Sequence, residues 1–179
     1  MSNNSSSAFA AKFVNRQMLT YDPQLKTRIR FSLMPYKMSK LVDVRTSPIS
    51  DRINTMNDFV DAGYEVNVNF AQVIFYEGWM EEWIVLFEEL NDKLNEKTKQ
   101  QLTCEIIFLT HNDSAARSKY GLASQSRRSV MEPELQEVKY SETGGRNVCY
   151  KRGFKSELVQ TMVDMVKDQL PYYSIRYAF

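Results

Sequence analysis

Between Gly63 and Trp79 apolar and polar side chains alternate, and then the period changes. Val66, Val68 and Phe70 fall on one side of an extended strand and Asn67 and Asn69 on the other, because strand side chains alternate with period two. The stretch reads as a helix stop at Gly63, a strand with one apolar and one amide-bearing face, a turn, and a helix beginning near Trp79. In an α/β fold the helices cover the apolar face. The two amides are then left facing a cleft or barrel interior, where such folds place their chemistry.

The rest of the chain follows the same logic. Phe9 to Val14 is a short apolar run interrupted by Lys12, a buried strand with a charge towards its C-terminal end, and Asn15 to Tyr21 is a short helix ended by Asp22-Pro23. Thr27 to Leu33 alternates into a strand that Pro35 stops. Ser47 is suited to cap a helix and Pro48 to occupy its first turn; Ile49, Ile53, Met56, Phe59 and Val60 then recur at helical spacing up to Gly63. Trp79, Trp83, Leu86, Phe87, Leu90 and Leu94 mark a second amphipathic helix. Its Glu81, Glu82, Glu88, Glu89 and Asp92 make a solvated outer face. Thr103 to Thr110 is apolar on both faces, as a fully covered strand should be, whereas residues 111 to 130 lack a period and read as a loop or short irregular helix. After Gly144-Gly145, Asn147 to Lys151 makes a short strand, Phe154 to Leu170 a third helix ended by Pro171, and Ser174 to Phe179 a closing strand.

Strands alternating with crossover-length helices predict an α/β fold with a mostly parallel sheet of about five or six strands. The sheet is either open or a partial (β/α) barrel, because a closed eight-stranded barrel needs about 200 residues or more. Residues 1–7 are small and polar and read as a disordered tail, and residues 8–179 as a single α/β domain.

Composition narrows the function classes. The 23 Lys and Arg against 22 Asp and Glu give a net charge of +1, so whole-chain charge points to neither nucleic acid nor membrane. No run approaches the roughly 18 apolar residues of a membrane span, and the first residues lack the basic start and apolar run of a secretion signal. The two cysteines, Cys104 and Cys149, lie far apart and suit a reducing compartment, and a cytoplasmic location is expected. Phosphate-binding, dinucleotide and nucleophile-elbow motifs are missing, and the single histidine, His111, reads first as a structural hydrogen-bonding residue. From Arg117 to Lys155, however, basic side chains outnumber acidic ones and alternate with aromatics, a pattern that holds phosphates and stacks bases. Arg127, Arg128, Tyr150 and Lys151 are the candidate nucleic-acid contacts. A solvated loop surface is the competing reading.

The run GYEVNVNFAQVIFYEGW from Gly63 to Trp79, together with TRIRFSLMP at 27–35 and TSPISDRI at 46–53, resembles the spore photoproduct lyase family, radical S-adenosylmethionine (SAM) enzymes that reverse a thymine photodimer in DNA. The similarity extends from about Phe9 to Phe179. It implies a partial (β/α) barrel with SAM lying across the C-terminal ends of the strands. It also implies that Lys12, Ser32 and Ala71 are cofactor-binding positions: Lys12 for the carboxylate, Ser32 for the amino-acid end and Ala71 for close approach of the adenine. The chain corresponds to the C-terminal half of such an enzyme. The CxxxCxxC motif that binds the iron–sulfur cluster and the hydrogen-donating cysteine belong to the other half, and two distant cysteines cannot supply the three thiolates the cluster needs. The expectation is therefore a truncated DNA-repair lyase half contributing SAM and DNA contacts, partnered by a separate N-terminal half that carries the cluster. No catalytic residue can be assigned within it. The alternatives are a non-catalytic nucleic-acid-binding module and an inactive gene remnant.

Overall fold

In a computed structural model of the chain, residues 7–108, 111–112, 133–142 and 144–179 are described. Five strands, β1 (Ser7–Ala11), β2 (Thr27–Leu33), β3 (Glu65–Val73), β4 (Thr103–Phe108) and β8 (Ser174–Ala178), form one sheet in the order β1-β2-β3-β4-β8. Every neighbouring pair is parallel. Spatial order follows chain order, so right-handed crossovers bring successive helices to the same side of the sheet. These helices are α1 (Tyr36–Val42), α2 (Ile49–Asp61), α3 (Trp79–Lys93), the single turn α4 (Glu96–Lys99) and α5 (Arg152–Gln169). The expected α/β architecture with an open, mostly parallel sheet is what forms. The sheet does not close into a barrel, and β1 and β8 are its edges.

The helical side is the core. Ile29, Phe31 and Leu33 from β2, Val66, Val68 and Phe70 from β3, and Cys104, Ile106 and Phe108 from β4 are buried there. α2 packs on β2 and β3, α5 on β4 and β8, and α3 against α2 and α5. Trp83 and Phe87 of α3 meet Phe70 with ring centroids 5.5 and 5.3 Å away. Here period-two strands meet period-3.6 helices on shared apolar faces.

Several boundaries differ from the sequence reading. The first strand begins at Ser7 and ends at Ala11, before Lys12, and Arg16–Thr20 is a turn of 3-10 helix capped by Asn15. Ser47 does not cap α2; its hydroxyl accepts from the Val14 backbone N–H at 2.9 Å, and Pro48 occupies the cap position. Helix α1 went unforeseen because its seven residues bury only Met38 and Val42, too few for a period. The polar stretch after β4 includes a second, antiparallel sheet, β5 (His111–Asn112), β7 (Arg146–Tyr150) and β6 (Gln136–Tyr140) in the order β5-β7-β6. β6 and β7 form a hairpin around residues 141–145, and of that hairpin only β7 was foreseen. Residues 1–6 of the expected tail lie outside the described residues, as do Arg127 and Arg128.

Candidate functional site

The face opposite the helices is polar yet largely covered. In β2 and β3, Arg28 sits opposite Glu65, Arg30 opposite Asn67 and Ser32 opposite Asn69; β4 adds Glu105 opposite Asn69 and Ile107 opposite Ala71. Near the N-terminal ends of the strands the charges pair. Arg28 Nε lies 2.6 Å from Glu65, and the buried Glu105 holds both Arg30 at 3.0 Å and Arg176 at 3.3 Å. Asn67 is engaged by Thr103 of β4. The expectation that Asn67 and Asn69 turn away from the helices holds.

At the C-terminal rim lies a connected cluster that fixes the end of β1. Lys12 Nζ is 2.6 Å from Asp43 Oδ1, and Arg52 Nη2 is 2.7 Å from Asp43 Oδ2. Arg52 is fully buried. Its remaining donors reach the Ser32 carbonyl at 2.7 Å, the Ser47 carbonyl at 2.9 Å and Thr46 Oγ1 at 2.6 Å. Ser47 N–H in turn donates to the Lys12 carbonyl at 3.0 Å. One guanidinium thus ties the ends of β1 and β2 to the 43–47 loop, and its charge is answered, as a buried charge must be. Burial by itself raises the Asp43 pKa, but the Lys12 ammonium and the Arg52 guanidinium beside it hold the carboxyl below the ordinary carboxylate value.

Against this frame the three positions suggested for the cofactor fall as follows. Lys12 follows the last residue of β1, and with 37% of its side chain exposed it keeps ammonium donors free of Asp43. Ser32 lies near the end of β2, 3% exposed. Ala71 stands two residues beyond Asn69 on β3, at a shift in register between Ala71 and Val73. Strand spacings put Ser32 and Ala71 roughly 8 Å apart, within reach of one nucleoside-sized ligand. Two acceptors on this part of β3 are buried without a hydrogen-bond partner: Asn69 Oδ1, on a side chain 5% exposed, and Gln72 Oε1 beside Ala71. A polar rim with an open ammonium and an orphaned buried acceptor fits an amphoteric nucleoside such as SAM. An iron–sulfur cluster does not fit. Cys104 is buried inside β4, with its thiol pushed up to about 12 by burial and by the neighbouring Glu105, Cys149 is buried in β7, and among the described residues no group of three His, Cys, Asp or Glu side chains could hold a metal ion.

The proposed nucleic-acid residues separate. Tyr150 is 1% exposed, its hydroxyl accepts from the Phe75 N–H at 2.8 Å and its ring meets Phe154 edge-on at 5.8 Å. It is built into the core and offers no open face to a base. Lys151 is exposed at the N-terminal cap of α5. Beside it a cleft of about 290 Å³ is lined by Lys139, Arg152 and Lys155 together with Ser156, Val159, Gln160 and Ala178. A larger depression, about 600 Å³, lies on the helical side among Tyr36, Lys37, Lys40, Leu41, Glu82 and Val85 and shares no residue with the rim.

Asp43 and Arg52 were not singled out from the sequence; Asn69 was placed on the cleft side by strand alternation but given no role. Arg52 had left a signal: it falls three residues after Ile49 and four before Met56, on the apolar face of α2, where a charge must be buried and therefore paired.

A parallel five-stranded sheet covered by helices on one face and carrying paired charges on the other defines an α/β protein. The spore photoproduct lyase family model matches residues 2–179, and the chain belongs to that family. Curated relatives include the spore photoproduct lyase of Clostridium acetobutylicum, 25% identical over 170 residues that make up 94% of this chain and 49% of the relative. That of Bacillus subtilis is 34% identical over 82 residues, 46% of this chain and 24% of the relative. Among solved structures, a spore photoproduct lyase variant with bound AdoMet and dinucleoside spore photoproduct superposes with a TM-score of 0.83 at 22% identity, covering 97% of this chain and 51% of that one. The chain thus spans about half the length of the Clostridium relative and of the solved structure, and the likeness to the solved structure bears on the fold.

Proposed function

We propose that this chain supplies the cofactor rim and the DNA-facing surface of a spore photoproduct lyase-type radical SAM activity, with the iron–sulfur cluster carried by a separate N-terminal half. The observation that carries this reading is the family match across residues 2–179, supported by the meeting of Lys12, Ser32 and Ala71 at one end of the sheet. SAM supplies the radical chemistry of the family when bound. The residues of this chain hold it: the free donors of Lys12 take the carboxylate, Ser32 the amino-acid end, and Ala71 leaves room for the adenine. Asp43 and Arg52 keep Lys12 and the end of β2 in place, a preorganisation that spares the ligand the cost of ordering them. DNA runs along the basic cleft, where Lys151, Arg152, Lys155 and Lys139 meet its phosphates, with Arg127 and Arg128 as further contacts. The free, buried cysteines suit a cytoplasmic setting.

The experiment is a mixture. This chain and the portion of the Clostridium acetobutylicum enzyme that it does not cover are purified separately, and 5′-deoxyadenosine is measured under reducing conditions. Product from the mixture and from neither part alone supports the reading; no product from a mixture that forms a complex opposes it. The basic cleft also favours a second reading, a binding module for nucleic acid without catalysis. It predicts salt-dependent DNA binding by this chain alone, weakened uniformly across sequences by Lys151→Glu and Arg152→Glu, with no product in the mixture.

A further inference from the structure

We propose that Asn69 is an additional cofactor contact whose side-chain oxygen accepts a hydrogen bond from a ribose hydroxyl of SAM. The proposal rests on the cofactor reading above and assigns a part of the ligand that Lys12, Ser32 and Ala71 leave without a partner.

Most of the polar groups around Asn69 are already committed. Glu105, directly across on β4, is held by Arg30 and Arg176. Asn67, the other amide on this face, is engaged by Thr103. Arg52, which reaches the Ser32 carbonyl, spends its other donors on Asp43, Thr46 and Ser47. Asn69 Oδ1 is buried without a donor; the other unpaired buried side-chain atoms on β2 and β3 are Arg30 Nε and Gln72 Oε1, the latter beyond Ala71. Such an acceptor is destabilising if nothing satisfies it, and native interiors keep few.

Position decides which donor it meets. Asn69 is in register with Ser32 on the neighbouring strand, and Ala71 lies one alternation further along β3 towards the rim. A ligand with its amino-acid end at Lys12 and Ser32 and its adenine at Ala71 must pass Asn69 with its middle. In SAM the middle is the sulfonium, which has no hydrogen to donate, and the ribose, which has two hydroxyls. A neutral amide oxygen is a fitting acceptor for a hydroxyl and leaves the ligand's charged end to Lys12.

The test uses S-adenosylhomocysteine and its 2′-deoxy and 3′-deoxy counterparts, titrated calorimetrically into the whole chain and into Asn69→Ala and Asn69→Leu. The wild-type chain is expected to bind one deoxy compound roughly ten-fold more weakly than the parent. Both variants should bind the parent roughly ten-fold more weakly and no longer distinguish it from that deoxy compound. Lost discrimination is the readout that general loosening of the site would not produce. Wild-type binding with discrimination retained in the variants overturns this inference and leaves the cofactor reading standing. No wild-type binding removes both. Should the variants fail to fold, the side-chain amide resonances of Asn69 in the wild-type chain decide: they shift with the parent ligand and not with the deoxy compound, and an unmoved resonance overturns the proposal.

Discussion

The two faces of the central strands β2, β3 and β4 both carry buried side chains, for opposite reasons. On one, Phe31, Val68, Phe70 and Ile106 are closed off by α2, α3 and α5, and their burial is favourable because apolar area leaves water. On the other, Ser32, Asn67, Asn69 and Glu105 lose contact with water too, and nothing about that burial is favourable in itself. It persists because nearly every group has a partner. The helical face is consequently tolerant, since any apolar side chain of about the right volume serves. The polar face is exacting, since each group depends on a named neighbour.

Two substitutions of similar expected cost separate the two kinds of burial. Trp83→Ala on the helical face removes a fully buried side chain that meets Phe70 and Phe87 and should lower stability by about 3–5 kcal/mol through transfer and cavity terms. Arg52→Ala on the rim removes no larger a volume, yet it leaves Asp43 buried with Lys12 as its remaining ion-pair partner and strips the Ser32 and Ser47 carbonyls of a donor. A loss of about 3–5 kcal/mol is expected there as well. A second change in each background distinguishes them by urea denaturation. Adding Asp43→Leu to Arg52→Met should recover most of the loss, because a pair replaced by apolar groups is no longer a buried charge. A small-to-large change beside Trp83→Ala can recover only what cavity filling returns.

A smaller effect is expected at Glu105. Its partners Arg30 and Arg176 are 26% and 41% exposed, so water screens them when Glu105→Gln removes the charge, and the discounted loss is about 1–2 kcal/mol. pH sharpens the contrast at Asp43. Its folded pKa is depressed, so the folded state takes up this proton less readily than the unfolded chain. The stabilisation is complete above the unfolded value near 3.9 and is lost as pH falls from there through the lower folded value. Urea midpoints of the wild-type chain should drop more steeply below about pH 4 than those of Asp43→Asn, which has no proton to gain. Parallel curves would disconnect Asp43 from acid stability.

The same contrast explains what could be read from the chain. The helical face is written as periodicity, and so the central strand, α2, α3, α5 and the parallel order were legible from Val66, Val68 and Phe70 and from the spacing of Ile49, Ile53 and Met56. The polar face is written as pairing between residues far apart in sequence. Nothing local joins Lys12 to Asp43, or Arg30 to Glu105 75 residues later. The resemblance to a family pointed to Lys12, Ser32 and Ala71, and strand alternation put Asn69 on the cleft side, but that its side-chain oxygen lacks a donor is visible only once its neighbours are placed. Tyr150 failed in the opposite direction. Interleaved with basic residues it looked like a base-stacking side chain, and only the return of β7 against the main core shows that it is packed inside.

Tyr150 and its neighbour Lys151 provide the smallest and most local comparison. Tyr150→Phe keeps the ring against Phe154 and removes the hydroxyl that accepts from the Phe75 N–H; leaving that buried donor unsatisfied should cost about 1–2 kcal/mol. Affinity for DNA should stay unchanged, because the ring has no face open to a base. Lys151→Ala alters an exposed side chain that makes no capping bond to α5, and should leave stability within about 0.5 kcal/mol. If DNA follows the basic cleft, its affinity should nonetheless fall and the dependence of binding on salt should flatten by about one phosphate contact. The two adjacent positions then report separately, one through the urea midpoint and the other through the salt slope. A Tyr150→Phe chain that kept its stability but lost DNA would mean that β7 turns its ring outwards when nucleic acid binds.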